Sequence, residues 1–274
     1  MSDIIFHKME GAGNDFVVLD NRTYGFDLDE IIRFTPKLCD RKFGIGADGI
    51  LILQPAERDE VDYTMIYRNA DGSDAGMCGN GARCLVMFAF QNGFGSTQTF
   101  NIHNNVYEAE VHDEENVSVH FPVHVIPEDI QINELDLVKA NAATEHLVQF
   151  VDKTDLEKEA ELVQTGRTLR YHKDVEPPGS NVNFVHCKER GSISLQTYER
   201  GVEGLTLACG TGALASAIAA HHHMNRVEKQ AKYQVKVKGG TLFVSFNFEP
   251  GTNTYHQLIL TGPAHFVFKG SIST

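Results

Sequence analysis

What the chain lacks narrows it first. No window reaches the roughly 18 consecutive apolar residues that a membrane-spanning helix needs. The formal net charge is −13, from 24 Lys and Arg against 37 Asp and Glu, and no basic run interrupts that balance. Nucleic acid and anionic membranes are therefore poor partners. Met1 to Asp15 contains neither an apolar signal core nor a small-residue cleavage site, so no secretory signal is expected and a cytoplasmic location is. The 274 residues include five cysteines and no CxxC. Free thiols in a reducing compartment follow. With no CxxC to pair with a second CxxC or with HxxxH, no metal site is expected. Hydrophobic residues make up 42% and charged residues 22%, the balance of a globular protein that folds as one large domain or two ordinary ones.

What is present is a repeat. Tyr67 to Ala82 and Tyr198 to Ala213 align without a gap at an offset of 131 residues. They share the Tyr and a Cys-Gly-x-Gly-Ala ending, and an apolar segment follows each, Arg83 to Gln91 and Leu214 to Ala220. Upstream, Leu147 to Asp152 matches Phe16 to Asp20 at an offset of 132, which sets His146 on Asn14. A tandem duplication of about 130 residues, each half mostly antiparallel strands around one apolar helix, explains the pattern.

The element pattern agrees. Strands are expected at Ile4 to Lys8, Phe16 to Asp20, Ile50 to Gln54 and Val61 to Arg68, then at Thr99 to His103, Val106 to Val111 and Val117 to Phe121. A helix is expected over Leu28 to Leu38, with Pro36 interrupting it or tightening its last turn. Asn80 to Asn92, apolar almost all round and closed by Gly93, reads as a helix buried on every side. After Pro122 the order restarts: a helix at Leu156 to Leu169, a loop at Pro177 to Asn181, strands at Val182 to His186 and Ser192 to Glu199, and a second buried helix at Thr211 to Asn225. Strands at Tyr233 to Lys238, Thr241 to Phe248 and His256 to Thr261 complete it. Phe266 to Ser273 is left over as a terminal strand returning to the first half. The expected class is α/β (α+β), with two pseudo-symmetric domains: 1–121 plus 264–274, and 122–263. Gly44 to Gly49 matches GxGxxG letter by letter, but a strand follows it rather than a helix, so it reads as a plain loop. His221-His222-His223 reads as a solvated helix end, since adjacent helix positions point apart.

A cysteine just before a helix sits where unpaired N–H groups and the positive end of the dipole converge. That setting favours thiolate over thiol, and the same N–H groups bind carboxylate. Two such units facing one another would put two bases on opposite sides of one carbon. One thiolate would remove a proton and the opposing thiol return one, inverting the centre. Cys78 and Cys209 are the candidates; Cys39, Cys84 and Cys187 have no such motif. The polar residues nine and ten positions before each cysteine differ, Asn69 in one half and Arg200 and Glu199 in the other. Arg200 could pair with a carboxylate and Glu199 with an ammonium group.

With Met77-Cys78-Gly79-Asn80-Gly81-Ala82-Arg83-Cys84, Ala208-Cys209-Gly210-Thr211-Gly212-Ala213, Asn69-Ala70-Asp71-Gly72-Ser73 and Gly11-Ala12-Gly13-Asn14-Asp15-Phe16, the chain resembles the diaminopimelate epimerases over nearly its whole length. The resemblance implies a cofactor-independent epimerase of lysine and peptidoglycan precursor synthesis, acting between LL- and meso-diaminopimelate in a cleft between two similar domains. It implies Cys78 and Cys209 as catalytic bases, and Gly79, Asn80, Gly210 and Thr211 as the carboxylate cradle. Asn14, Asn69, Asn181, Glu199 and Arg200 match substrate-binding positions, and His146, with Glu199, would tune the cysteines. Two departures stand out. Gly49 replaces a common Gln after the loop aspartate, and Ala143-Thr144-Glu145-His146 replaces the usual Gly-Asn-Pro-His.

The expected partner is a small-molecule substrate, with self-association as a homodimer left open. No cofactor is expected, because PLP chemistry needs a Schiff-base lysine and a phosphate site and nothing points to either. Two other readings compete. A racemase of another amino acid on the same scaffold would share the chemistry. A thiol–disulfide redox protein would use the same cysteines, but the missing CxxC and the glycine cradle count against it.

Overall fold

The computed structural model describes residues 3–175 and 179–273. The chain divides into two compact units, Met1–Val119 with Gly262–Thr274, and His120–Thr261. The first half runs β1 (Asp3–Gly11), β2 (Asn14–Asp20), the single turn α1 (Asn21–Tyr24), α2 (Leu28–Cys39), β3 (Gly49–Pro55), β4 (Tyr63–Asn69), α3 (Gly79–Gln91), β5 (Thr97–Ile102), β6 (Asn105–Val111) and β7 (Asn116–Phe121). The second half opens on β8 (Glu128–Ile132), β9 (Leu135–Asn141), β10 (Glu145–Phe150), α4 (Glu159–Arg170), β11 (Asn181–Glu189) and β12 (Ser192–Glu199). It continues with β13 (Gly204–Thr206), α5 (Gly210–His223), β14 (Gln230–Val237), β15 (Gly240–Glu249) and β16 (Thr254–Pro263). The last strand, β17 (His265–Ser273), pairs antiparallel with β1 and so belongs to the first unit.

The same pairing scheme appears in both units. In the first, β1–β2, β3–β4 and β5–β6 are antiparallel, while β2–β3 and β4–β5 are parallel. In the second, β9–β10, β11–β12 and β14–β15 are antiparallel, with β10–β11 and β12–β14 parallel. Parallel neighbours need a crossover, and in each case a helix supplies it. The mixed α+β class with curved sheets, expected from the sequence, is the class observed.

Each sheet curves round one helix. α3 packs on β1, β2, β3, β4 and β6, and α5 on β9, β10, β11, β12, β14 and β15. Every residue of α3 from Gly79 to Ala89, and of α5 from Gly210 to His221, is buried, which is why neither helix carries a polar stripe. The sheet between two helical layers is apolar on both faces. Ile50 to Leu53 of β3 are wholly buried, with α3 on one side and α2 on the other, giving a continuous rather than alternating run. In β15, Leu242, Val244, Phe246 and Phe248 are buried at every second position, the pattern of a strand with one face on the core.

Several local expectations shift. α2 continues through Pro36 to Cys39 and starts on a capping box between Asp27 and Glu30. The cap of α3 is Asn92, and Gly93 follows with φ +99°. α4 is shorter than the pattern predicts: a 3-10 turn over Asp155–Glu157 comes first and Lys158 breaks the run. The β8–β9 hairpin is not visible in the sequence pattern, because its two turn residues, Asn133 and Glu134, take φ of +51° and +64° without the glycine that usually marks such a turn. Pro177 and Pro178 of the expected loop lie outside the described residues. The histidine triplet needs correction: only His223 is exposed. His221 is buried against Phe246, Phe248 and Tyr255 and shares a 3.0 Å bond with the Tyr255 hydroxyl.

Candidate active site

In the first unit, Cys78 caps the N-terminus of α3. Its backbone is extended (φ −120°, ψ 116°), and its sulfur accepts from Gly81 N at 3.4 Å. The Sγ also lies 3.7 Å from Asn14 Oδ1 at the start of β2. Asn14 is held by Asp48, whose Oδ2 accepts from Asn14 Nδ2 at 2.6 Å. Asp48 in turn pairs with Arg41 at 2.6 Å, and Arg41 also clamps Asp15. Burial works against charge on Asp15, yet hydrogen bonds from Arg41 and Lys8 outweigh it and hold its pKa at about 2. The front of this site is therefore a fixed ionic frame around one amide.

Behind the cysteine lies Arg83, fully buried one turn into α3. It donates to Asn80 Oδ1 at 2.9 Å, Gly79 O at 3.2 Å and Pro263 O at 3.1 Å. Burial lowers its pKa, with the Cys84 and Cys78 sulfurs and Glu10 pulling the other way; a guanidinium remains charged regardless. Asn80 Nδ2 then reaches Asn14 Oδ1 at 3.5 Å. Asn69 sits in a turn, its Nδ2 donating to Ser73 Oγ at 3.0 Å while Asp71 accepts from Ser73 N and Oγ.

The second unit repeats the cap and changes its surroundings. Cys209 has nearly the same backbone (φ −116°, ψ 114°) at the start of α5 and accepts from Gly212 N at 3.3 Å. A Cβ on Gly212 would come within 2.7 Å of Asn183 Oδ1 and 3.2 Å of Cys209 Cβ, so the glycine is required by close approach. Thr211 Oγ1 lies 3.6 Å from the Cys209 sulfur. His146, buried completely, meets Thr211 Oγ1 through Nε2 at 3.0 Å and Thr144 Oγ1 at 2.9 Å. Its other nitrogen, Nδ1, meets Asn183 Nδ2 at 2.9 Å. Burial, with Arg200 adding to it, pushes the His146 pKa down to about 3, so the ring is neutral. Asn181 Oδ1 accepts from Arg200 N at 2.8 Å, and Arg200 Nη1 donates to Gly179 O at 3.1 Å. Glu199 ends β12 immediately before Arg200.

Within the first unit the structure brings together Cys78, Asn14, Gly79 and Asn80. Within the second it brings together Cys209, His146, Asn181, Thr211 and Arg200. Arg83, Asp48 and Asn183 were not singled out by the sequence. Only Arg83 had a signal there, as the one charge inside an otherwise apolar helix. The remaining cysteines are of another kind: burial pushes Cys39 up to about 12, Cys187 to about 11 and Cys84 well above its usual value. Among the described residues no cluster of His, Cys, Asp or Glu could hold a metal ion. No helix among them is long and apolar enough to cross a membrane.

The fold is one seen in several solved structures. It is shared with a hydroxyproline epimerase from Agrobacterium vitis (TM-score 0.73, 15% identity, 98% of this chain and 92% of that one). It is shared also with a phenazine biosynthesis protein of the PhzF family from Bacillus anthracis (TM-score 0.77, 12% identity, all of both chains). At such identities the likeness speaks for the fold alone. The sequence goes further: the family model for diaminopimelate epimerase matches residues 6–123 and 138–267. Curated diaminopimelate epimerases from Flavobacterium psychrophilum and Chlorobaculum tepidum are each 38% identical over 97% of this chain, covering 99% and 100% of their own lengths. The chain belongs to the diaminopimelate epimerase family and is an isomerase acting on a small molecule.

Proposed function

We propose that the protein interconverts LL- and meso-diaminopimelate by a two-base 1,1-proton transfer without PLP, a step toward lysine and peptidoglycan precursors. The observation that carries the reading is the matched pair of N-cap cysteines, each with a helix N–H on its sulfur. Each unit, 1–121 with 264–274 and 122–263, supplies one of the two cysteines. One cysteine thiolate takes the α-proton, so that the C–H bond breaks and an S–H forms. The opposing cysteine delivers its proton to the other face of the carbanion. The first-turn N–H groups at Gly79, Asn80, Gly210 and Thr211 hold the adjacent carboxylate and spread the developing charge. Arg200, Glu199, Asn69 and Asn181 hold the distal amino-acid end, and Asn14 borders the first cysteine. His146 and Glu199 tune the cysteines, and the enzyme works in the cytoplasm.

The test is α-proton exchange in D₂O, with LL-diaminopimelate set against a panel of other L-amino acids. Exchange confined to diaminopimelate supports the reading. Fast exchange on another amino acid and none on diaminopimelate makes the chain a racemase of that other substrate. Dithiol turnover without any exchange would replace both with redox chemistry.

A further inference from the structure

Glu199 and Arg200 stand at the mouth of a hairpin. Glu199 pairs with Gly204 across β12 and β13, which leaves Arg200, Gly201, Val202 and Glu203 as the connecting loop. Glu203 N donates to Glu199 O at 2.8 Å and closes it. The path bends at two points, with φ of +91° at Gly201 and +57° at Glu203. Glycine takes that region freely, but at Glu203 it costs a residue with a Cβ about 1 kcal/mol or more. Something must hold the backbone there.

The Glu203 side chain does so. Its carboxylate folds back over the loop, where Oε1 accepts from Gly201 N at 3.1 Å and Oε2 from the Tyr198 hydroxyl at 3.3 Å. Arg170 Nη2 lies 3.4 Å from Oε1, and the Tyr171 hydroxyl bonds to the same carboxylate. Burial opposes charge on Glu203, yet the Gly201 N–H, Tyr171, Arg170 and Tyr198 outweigh it and lower its pKa.

Arg170 anchors this arrangement from behind. It ends α4, is buried, and lies over the Tyr171 ring at 4.6 Å. Its helix reaches the loop because Gly166 lets α4 close on β12: a Cβ there would come within 2.6 Å of Tyr198 Cβ. Arg170 also packs on Gly179, where a Cβ would collide with its Nη1 and its carbonyl oxygen. Gly179 O is in turn the acceptor for Arg200 Nη1, at 3.1 Å. One buried arginine thus backs two supports of Arg200, the carboxylate that folds its loop and the carbonyl that takes its guanidinium.

We infer that Glu203 and Arg170 are positioning residues, which together set the 200–203 loop and with it the places of Glu199 and Arg200. Neither has to touch the substrate. The inference rests on the proposed reaction only in taking Glu199 and Arg200 as the grip on the distal amino-acid end.

Two measurements test it. The first needs no substrate: backbone ¹⁵N order parameters of the parent and of Glu203→Ala. Residues 200–203 should fall from about 0.85 to below about 0.6 while α5 keeps its values. A loop already mobile in the parent, or unchanged in the variant, overturns the inference. The second is KM against kcat for diaminopimelate. A partly unfolded variant loses active molecules, so kcat drops and KM stays, whereas a misplaced Arg200 weakens the grip and raises KM. Glu203→Ala should raise KM about tenfold with kcat within about threefold of the parent. Arg170→Met should give the same split, and the double variant should be no worse than either single one, because the pair acts as a unit. Additive effects, or a fall in kcat at constant KM, overturn the assignment. Should Glu203→Ala not fold, Glu203→Gln serves, with a smaller rise in KM, since an amide offers one acceptor oxygen to the same donors. A parent that does not turn over diaminopimelate would sink the proposed reaction, and the order parameters would still decide the loop.

Discussion

At the scale of single residues, the two N-cap cysteines are set apart from the other three by position rather than by type. Cys39, Cys84 and Cys187 are held as thiols by burial, whereas Cys78 and Cys209 face helix N–H groups that favour charge. Replacing either with Ala should cost a factor of between about a hundred and ten thousand in LL-to-meso conversion, the usual worth of a general acid or base. Full activity in either variant, followed by chromatographic separation of the stereoisomers, would refute the two-base scheme. Ala143 offers a second prediction. It has φ +71°, a region that costs a non-glycine residue about 1 kcal/mol or more. Ala143→Gly should therefore leave the chain as stable or stabilise it by up to about 1 kcal/mol, read from the urea midpoint; a clear loss would contradict the strain.

Among the elements, the long periodic ones were legible from sequence and the short irregular ones were not. The two all-apolar helices and the alternating strand β15 declare themselves, because burial on all sides or on one face leaves a period in the residues. The β8–β9 hairpin and the 3-10 entry to α4 do not, since each depends on backbone angles that no residue type there requires. Gly49 shows the same limit from the other side. Its hydrogen stands where a Cβ would lie 2.5 Å from Arg68 O and 2.6 Å from the Tyr67 ring, both across the β3–β4 pairing. Backbone cannot yield as a flexible side chain does, so Gly49→Ala should destabilise by about 1–3 kcal/mol. A Tm within a degree of the parent would show that the strand pair relaxes at little cost.

At the scale of the whole molecule, two buried histidines couple stability to pH. In the folded state His146 titrates at about 3 and His221 at about 4, against 6.5 when exposed. Below pH 6.5 the unfolded chain takes up protons that the folded one refuses, so their contribution is complete above that pH and is lost as pH falls toward 4. The slope is up to about 1.4 kcal/mol per pH unit for each ring. Asp15, depressed to about 2, adds to the loss only below about pH 4. His221→Phe should flatten the urea-derived stability curve between pH 6.5 and 4.5; an unchanged slope would remove His221 from the account.

The sequence by itself determined the duplication, the two buried helices and the cysteine at the head of each, because these are local patterns repeated in register. Only the tertiary structure decided what each cysteine faces. Asn14 lies far from Cys78 in the chain, and His146 lies far from Cys209, and the strands that carry them, β2 and β10, are brought beside the helices by pairing across each sheet. What each of these side chains meets depends on every partner in its network at once, on Asp48 and Arg83 in one unit and on Asn183 in the other. No spacing along the sequence records that. The repeat makes the two halves alike in backbone, and the packing gives each sulfur different neighbours.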